Sequence, residues 1–142
     1  MSGFLLDTNV ISELIKPNPE PRVVKWIEAT DESLLNLSVL TFGEIRKSID
    51  SLPHRLRRRT ALESWLSHDL AIRFANRILG IDRAVADRWG RITARAYAAK
   101  QTLPVIDGML AATALHHNLT FVTRNAKDVA ITGVPVFNPW ES

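Results

Sequence analysis

The chain has 142 residues with 46% hydrophobic residues, a formal charge of +3 and no cysteine. These properties predict one globular domain over residues 1–142 and exclude a disordered chain, disulfides, thiolate zinc sites and a cysteine nucleophile. No apolar run approaches the roughly 20 residues that span a bilayer, and no signal peptide is recognisable. We therefore expect a cytoplasmic protein without a membrane partner.

The start of the chain predicts a buried strand followed directly by a helix. Residues 4–6 are all apolar, and apolar side chains recur at helical spacing over residues 10–15. Asp7 therefore lies where the strand ends, which is where open α/β sheets bind ligands. It could anchor a metal site there, or it could serve only as the N-cap of the helix.

Short strands and helices alternate through the rest of the chain. Further strands are predicted near residues 34–38, 78–81, 120–123 and 134–137. Helices are predicted near residues 23–27, 40–52, 82–96 and 105–115. A basic segment continues into another helix, so that residues 40–74 form a helical hairpin with arginines at or near its tip. This alternation favours an α/β fold built around a parallel sheet.

Asp107 is the only ionisable residue between Val105 and Leu115, in a segment that should be buried nearly all round. Because an unpaired buried carboxylate is very unfavourable, Asp107 needs a partner or a metal. The alternative is that it lies in the first turn of the helix, complements the helix dipole and reaches water.

Two further segments place polar side chains after predicted strands. Thr41 and Glu44 match the capping box that begins many helices, yet Glu44 also follows a buried strand and falls at the same sheet edge as Asp7. After the strand near residue 122, Asn125 and Asp128 could join the site, or Asn125 could be an N-cap with Asp128 three residues later.

Asp7, Glu44 and Asp107 would repel one another in one pocket, and a divalent cation would remove that repulsion. Because all candidate ligands are oxygen atoms, the metal should be Mg²⁺ or Mn²⁺. Basic residues nearby could hold a polyanion or could form a solvated face. These basic residues are Arg46, Arg55, Arg57, Arg58 and Arg59. An acidic pocket beside such a rim suits cleavage of phosphodiester bonds.

Five motifs stand in order along the chain. They are LDTNVIS at residues 6–12, EIR at 44–46, IDGMLAATA at 106–114, TRN at 123–125 and VFNPW at 136–140. As an ordered set they resemble the PIN-domain nucleases, in particular the VapC and FitB toxins of bacterial type II toxin–antitoxin modules. The resemblance implies a three-layer α/β/α sandwich with short, mainly parallel strands, and a Mg²⁺- or Mn²⁺-dependent endoribonuclease.

The resemblance also implies roles for individual residues. It assigns the acidic triad to Asp7, Glu44 and Asp107, and polar support to Thr8, Asn9 and Thr123. The family often has a fourth acid where this sequence has Asn125, which carries no charge. Asp128, one helical turn later, is the candidate to compensate.

The implied partners are an RNA substrate, a second copy of the chain and an antitoxin that blocks the active site and assembles with operator DNA. One alternative is an RNA- or protein-binding module with a vestigial pocket, which the missing fourth acid favours. Another is an aspartate-nucleophile phosphohydrolase. That class usually has a second Asp two residues after the first, where this chain has Asn9.

Overall fold

A five-stranded parallel sheet forms the centre of the computed structural model, which describes residues 3–142. The strands are β1 (Phe4–Leu6), β2 (Leu35–Ser38), β3 (Ile78–Leu79), β4 (Thr120–Val122) and β5 (Val136–Phe137). They lie in the order β3-β2-β1-β4-β5, and all neighbouring pairs are parallel. The first strand is therefore central, and the predicted sheet of short parallel strands is confirmed.

Helices connect these strands. They are α1 (Thr8–Leu14), α2 (Pro21–Ala29), α3 (Val39–Asp50), α4 (Arg57–Ser64), α5 (Ala71–Arg73), α6 (Arg83–Ala98) and α7 (Val105–His116). A π-helical segment, Trp65–Leu70, joins α4 to α5, and short 3-10 helices span Glu32–Leu34, Ala126–Thr132 and Pro139–Glu141. No helix within residues 3–142 is long and apolar enough to cross a membrane.

The two faces of the sheet are covered by different helices, which gives the predicted three layers. Leu6 and Val122 belong to the core that contains residues of α1, α2 and α3, whereas Leu5 and Phe121 pack in the core with α7. Adjacent residues of a strand point to opposite faces, so Leu5 and Leu6 can both be fully buried in different layers.

The apolar helix α7 is covered on two sides. One side packs on the sheet, and Ala112 packs with Val85 and Ile92 of α6 on the other side. The two helices approach closely, since a Cβ at Gly108 would lie 3.2 Å from Trp89. This double coverage explains why the sequence of α7 is apolar nearly all round.

The helix α3 begins earlier than the sequence predicts. The side chain of Ser38 accepts a hydrogen bond from the backbone N–H of Leu40 at 3.0 Å, so Ser38 is the N-cap. The capping box assigned to Thr41 and Glu44 is therefore wrong. The strand β2 passes into α3 without a loop, and both residues lie inside the helix with their side chains free for other contacts.

Candidate active site

Asp7 leaves the end of the central strand and begins α1. Its Oδ1 accepts a hydrogen bond from the backbone N–H of Thr8 at 2.7 Å, and its Oδ2 accepts one from the Thr123 hydroxyl at 2.7 Å. Asp7 therefore does cap the helix, as one interpretation predicts. Its second oxygen is nevertheless held by a residue 116 positions away in the chain, at the edge where a site is expected.

Thr123 connects three segments of this edge. Its hydroxyl donates to Asp7 and accepts from Asn9 Nδ2 at 3.3 Å and from the backbone N–H of Asn125 at 3.0 Å. The hydroxyl thus uses its one hydrogen and both lone pairs. Because β4 lies beside β1, this single buried side chain fixes the orientation of the Asp7 carboxylate.

Glu44 reaches the same edge from α3. Its Oε1 accepts a hydrogen bond from the Thr8 hydroxyl at 2.6 Å, and the hydroxyl oxygen of Thr41 lies 3.1 Å from that of Thr8. Thr8 therefore bridges Asp7 and Glu44. Thr41 is a site residue that the sequence interpretation missed, because the capping-box explanation had assigned its side chain to the backbone.

Asp107 lies in the first turn of α7 and is half-buried. Burial raises the pKa of its carboxyl, and the negative charges of Asp128 and Glu44 raise that pKa further. Asp107 is thus both a first-turn acid and a neighbour of other acids. Asn125 and Asp128 are both exposed, and of these two candidates Asp128 acts on Asp107 through its charge.

The electrostatics of Asp7 show the same convergence. Burial raises the pKa of Asp7 from 3.8 to about 6, and the charges of Asp107 and Glu44 also raise it. The hydrogen bonds from Thr123 and Thr8 act in the opposite direction, because they stabilise the ionised carboxylate. Asp107 and Glu44 therefore both act electrostatically on Asp7, and Glu44 also acts on Asp107.

The side chains fit a hard cation in their chemistry. The surrounding donors are oxygen atoms, the carboxylates repel one another, and Asn9 Oδ1 is buried without a hydrogen-bond donor. Within residues 3–142, no three acidic or histidine side chains lie close enough to hold a metal ion as they stand. Mg²⁺ or Mn²⁺ would suit this donor set better than a softer metal.

The predicted basic residues occupy two kinds of environment on the helical hairpin. Arg46 pairs with Asp50 and Glu63, and Arg59 pairs with the same two acids. The side chain of Arg59 is only 12% exposed and donates to the backbone carbonyl of Leu52 at 2.7 Å. The remaining predicted residues of the basic rim are exposed. They are Arg55, Arg57 and Arg58.

An open groove of about 760 Å³ begins at Thr8 and Glu44. The other residues that line it are Val39, Leu40, Gly43, Lys47, Ser48, Ser51 and Ile106. The sequence interpretation did not identify this groove. Its helical residues repeat at intervals of three and four along α3, and that spacing was the only signal that could have indicated a shared face.

Comparison with known proteins agrees with the geometry. The family model described as PIN domain matches residues 4–131. Toxin FitB of Neisseria gonorrhoeae is 37% identical over 137 residues, covering 96% of this chain and 98% of FitB. VapC ribonuclease Y4jK of Sinorhizobium fredii is 34% identical over 138 residues, covering 97% of this chain and 98% of its own.

Solved structures extend the comparison to the fold. The crystal structure of FitAcB from Neisseria gonorrhoeae contains a chain that superposes with a TM-score of 0.92 at 36% identity, covering 98% of this chain and 99% of the other. A chain of the DNA-bound VapBC from Salmonella typhimurium shares the fold, with a TM-score of 0.76 at 22% identity, covering 98% of this chain and 99% of its own. The chain belongs to the PIN-domain family and, within it, to the group of the FitB and VapC toxins.

Proposed function

We propose that this chain is the toxin of a toxin–antitoxin module and that it hydrolyses RNA phosphodiester bonds with the help of Mg²⁺ or Mn²⁺. The carrying observation is the convergence of Asp7, Glu44 and Asp107 from three distant segments: Thr8 bonds both Asp7 and Glu44, and the charges of Asp107 and Glu44 act on Asp7. A protein whose only need was stability would gain nothing from such a cluster, because like charges at a partly buried site repel.

The relatives support the same chemistry. One bears the name toxin and another the name ribonuclease, and both match nearly the whole of this chain. FitB and VapC proteins have been solved in complexes named FitAB and VapBC, some of them with DNA. By analogy, the partners of this chain are an antitoxin that blocks the acidic pocket, the operator DNA bound by that antitoxin, and a second copy of the chain. The site of action would be the cytoplasm.

The mechanism assigns a task to each side chain. Asp7, Glu44 and Asp107 would hold the metal, which when bound supplies a Lewis acid for the phosphate and activates a water molecule. Thr123 holds the Asp7 carboxylate in position at the edge of the sheet by donating a hydrogen bond to it, and Thr8 holds the Glu44 carboxylate through a hydrogen bond of 2.6 Å. These two hydroxyls orient the acids before substrate arrives, which reduces the reorganisation needed during reaction.

Asn125 and Asp128, which follow β4, have different tasks in this proposal. Asn125 anchors the backbone of the turn to Thr123 but adds no charge, whereas Asp128 acts on Asp107 from the following 3-10 helix. Asp128 therefore takes the electrostatic part of a fourth acid in this proposal. We expect it to assist metal binding through Asp107.

A second candidate is a binding module with an inactive pocket. The observation that favours it is the neutral Asn125 at the position where the family often has an acid. Such a protein would bind RNA or protein without turnover. The aspartate-nucleophile alternative has no comparable support, since Asn9 donates to Thr123 and occupies the position where that chemistry needs an acid.

The test is cleavage of total RNA and of matched single-stranded DNA by the purified chain in Mg²⁺, Mn²⁺ or EDTA. The variants are Asp7→Asn and Asp107→Asn, with Asp87→Asn as a control, because Asp87 is an exposed acid of α6 that pairs with Arg91. We expect metal-dependent RNA cleavage by the wild type and by Asp87→Asn, and at least a hundredfold loss in the two site variants, on the order of a catalytic group's contribution.

Each other outcome has a clear meaning. Binding of RNA without cleavage in any metal would favour the binding module, and Asn125→Asp would then be tested for restored turnover. Cleavage that survives both site substitutions would show that the acids are wrongly assigned. Cleavage of DNA alone would overturn the ribonuclease assignment but not the metal site.

A further inference from the structure

The groove beside the acids has features that metal binding does not require. It extends from Thr8 and Glu44 along one face of α3 to Ser51, and it encloses about 760 Å³. Of the three acids only Glu44 lines the groove, so most of its space is not part of the proposed metal site. The additional space is open to solvent and continuous with the proposed site of cleavage.

One wall of the groove is apolar. Val39 and Leu40 begin α3, and Ile106 comes from the first turn of α7. Val39 is 43% exposed, although it is a large aliphatic residue at a helix start. These side chains present an aliphatic surface within a few residues of Glu44 and Asp107, where the ring of an unpaired base could pack.

Further along α3, the lining of the groove is polar and carries a positive charge. Lys47 is exposed and is the cation among the lining residues, with the hydroxyls of Ser48 and Ser51 beyond it. Lys47 lies one helical turn beyond Gly43 on α3, so both side-chain positions face the same way. A Cβ at Gly43 would meet no atom within 4 Å, which leaves the floor of the groove open between the apolar wall and the cation.

We propose that this groove binds a single-stranded segment of the RNA substrate next to the bond that is cut. A base packs on Val39, Leu40 and Ile106, and Lys47 contacts a neighbouring phosphate. The inference rests on the proposed ribonuclease function and adds the surface that holds the substrate beside the bond that is cut. The apolar wall matches the base of a nucleotide, and the cation, which lies beyond the open Gly43, matches a phosphate.

The first experiment fills the groove. Gly43→Trp places a large ring in the open space, and Gly90→Trp is the matched control, because a Cβ at Gly90 of α6 also meets no atom within 4 Å. Binding of a random-sequence, unstructured RNA pool is measured in EDTA, and cleavage is measured in Mg²⁺. We expect Gly43→Trp to weaken binding about tenfold, the magnitude of one lost base contact, while Gly90→Trp behaves as wild type.

The second experiment removes the charge. Lys47→Gln is compared with Lys25→Gln, which removes the charge of an exposed lysine on α2. Loss of one phosphate contact should reduce the slope of log affinity against log salt by about 0.7 for a single strand. We expect that change for Lys47→Gln, together with a raised KM and a retained kcat, and no change for Lys25→Gln.

The outcomes separate this inference from the proposed function. If the wild type cuts RNA and both groove variants bind and cut as wild type does, the groove assignment is overturned and the ribonuclease stands. If Gly43→Trp weakens binding of the antitoxin and leaves RNA binding unchanged, the groove holds a polypeptide and our assignment is wrong. If the wild type neither binds nor cuts RNA, the proposed function fails and the inference fails with it.

Discussion

At the scale of single residues, Asp7 shows the conflict between stability and chemistry most clearly. It is 6% exposed, and it receives hydrogen bonds from the Thr8 backbone and the Thr123 hydroxyl. Those bonds do not offset its burial and the neighbouring acids, because the pKa of Asp7 is still raised to about 6. The ionised carboxylate is therefore a destabilising feature that the fold retains at the end of its central strand, as functional sites often do.

The first prediction concerns Asp7→Asn in metal-free protein. An ordinary Asp has a pKa of 3.8, whereas the pKa of Asp7 is about 6 in the folded chain. At a pH between these two values the folded state therefore binds more protons than the unfolded state. The destabilisation from Asp7 is thus complete above pH 6 and disappears as the pH falls below about 4. We expect Asp7→Asn to be more stable than wild type by about 1–3 kcal/mol at pH 8, with the difference lost at a pH of about 3.5.

Urea unfolding in EDTA at the two pH values measures this difference. Asp87→Asn is the control and should show no pH-dependent difference from wild type, since Asp87 is exposed on α6. Added Mg²⁺ should stabilise the wild type and leave Asp7→Asn unchanged. A less stable Asp7→Asn at pH 8 would show that the carboxylate is compensated in a way that these contacts do not reveal.

At the scale of elements, the arginines of the helical hairpin formed by α3 and α4 fall into two groups with different roles, which the sequence does not distinguish. Arg59 is packed between the helices, where it donates to the Leu52 carbonyl and pairs with Asp50 and Glu63. Arg57 and Arg58 stand on the exposed side of the first turn of α4. The arginine run is therefore partly a structural connection and partly a free basic surface.

The second prediction tests that division. Arg59→Ala should destabilise the protein by about 1–3 kcal/mol, because it leaves the Leu52 carbonyl without its donor and removes one of the two arginines that pair with Asp50 and Glu63. The double variant Arg57→Ala with Arg58→Ala should keep its stability within about 0.5 kcal/mol. If these two arginines contact phosphates, the double variant should reduce the salt slope of RNA binding by about 1.4.

Chemical denaturation and a salt titration of RNA binding give the two readouts. An unchanged salt slope in the double variant would identify Arg57 and Arg58 as a solvated face only. A stable Arg59→Ala would mean that the other contacts between the two helices, including the Arg46–Glu63 pair, are enough to hold them together.

At the scale of the whole molecule, the last 3-10 helix, Pro139–Glu141, packs into the core that contains residues of β1 and α2. Trp140 is 7% exposed and belongs to the same core as Leu6 and Ile27. The guanidinium of Arg124, which follows Thr123, lies 5.4 Å from the centre of the Trp140 ring. The last residues therefore support the turn that carries Thr123, and through it the orientation of Asp7.

The third prediction is that Trp140→Ala destabilises the protein by about 3–5 kcal/mol, since it removes a large side chain from the core. Tyr97→Ala is the control, because Tyr97 is 85% exposed on α6 and should change stability by no more than about 0.5 kcal/mol. Thermal and urea unfolding measure both variants. Equal stability of the two would show that the terminal residues are not part of the cooperative core.

The sequence by itself determined the order of the elements and the positions of the acids along them. Short continuous apolar runs identify the strands, and apolar stripes at helical spacing identify the helices, because burial depends on the local pattern of side chains. Asp7 after β1 is the N-cap of α1, as one interpretation of the sequence predicts, since a cap depends on neighbouring residues only. The ordered motifs likewise identified the family, which the match over residues 4–131 confirms.

Only the tertiary structure decided which side chains meet. The bond between Thr123 and Asp7 joins residues 116 positions apart, and no local pattern encodes such a contact. The tertiary contacts of α3 likewise turned Thr41 from an apparent cap into a neighbour of Thr8, and packing buried Arg59 while leaving Arg57 exposed. Local sequence fixes backbone conformation through short-range interactions, whereas the groove and its charges arise from segments that become neighbours only when the sheet assembles.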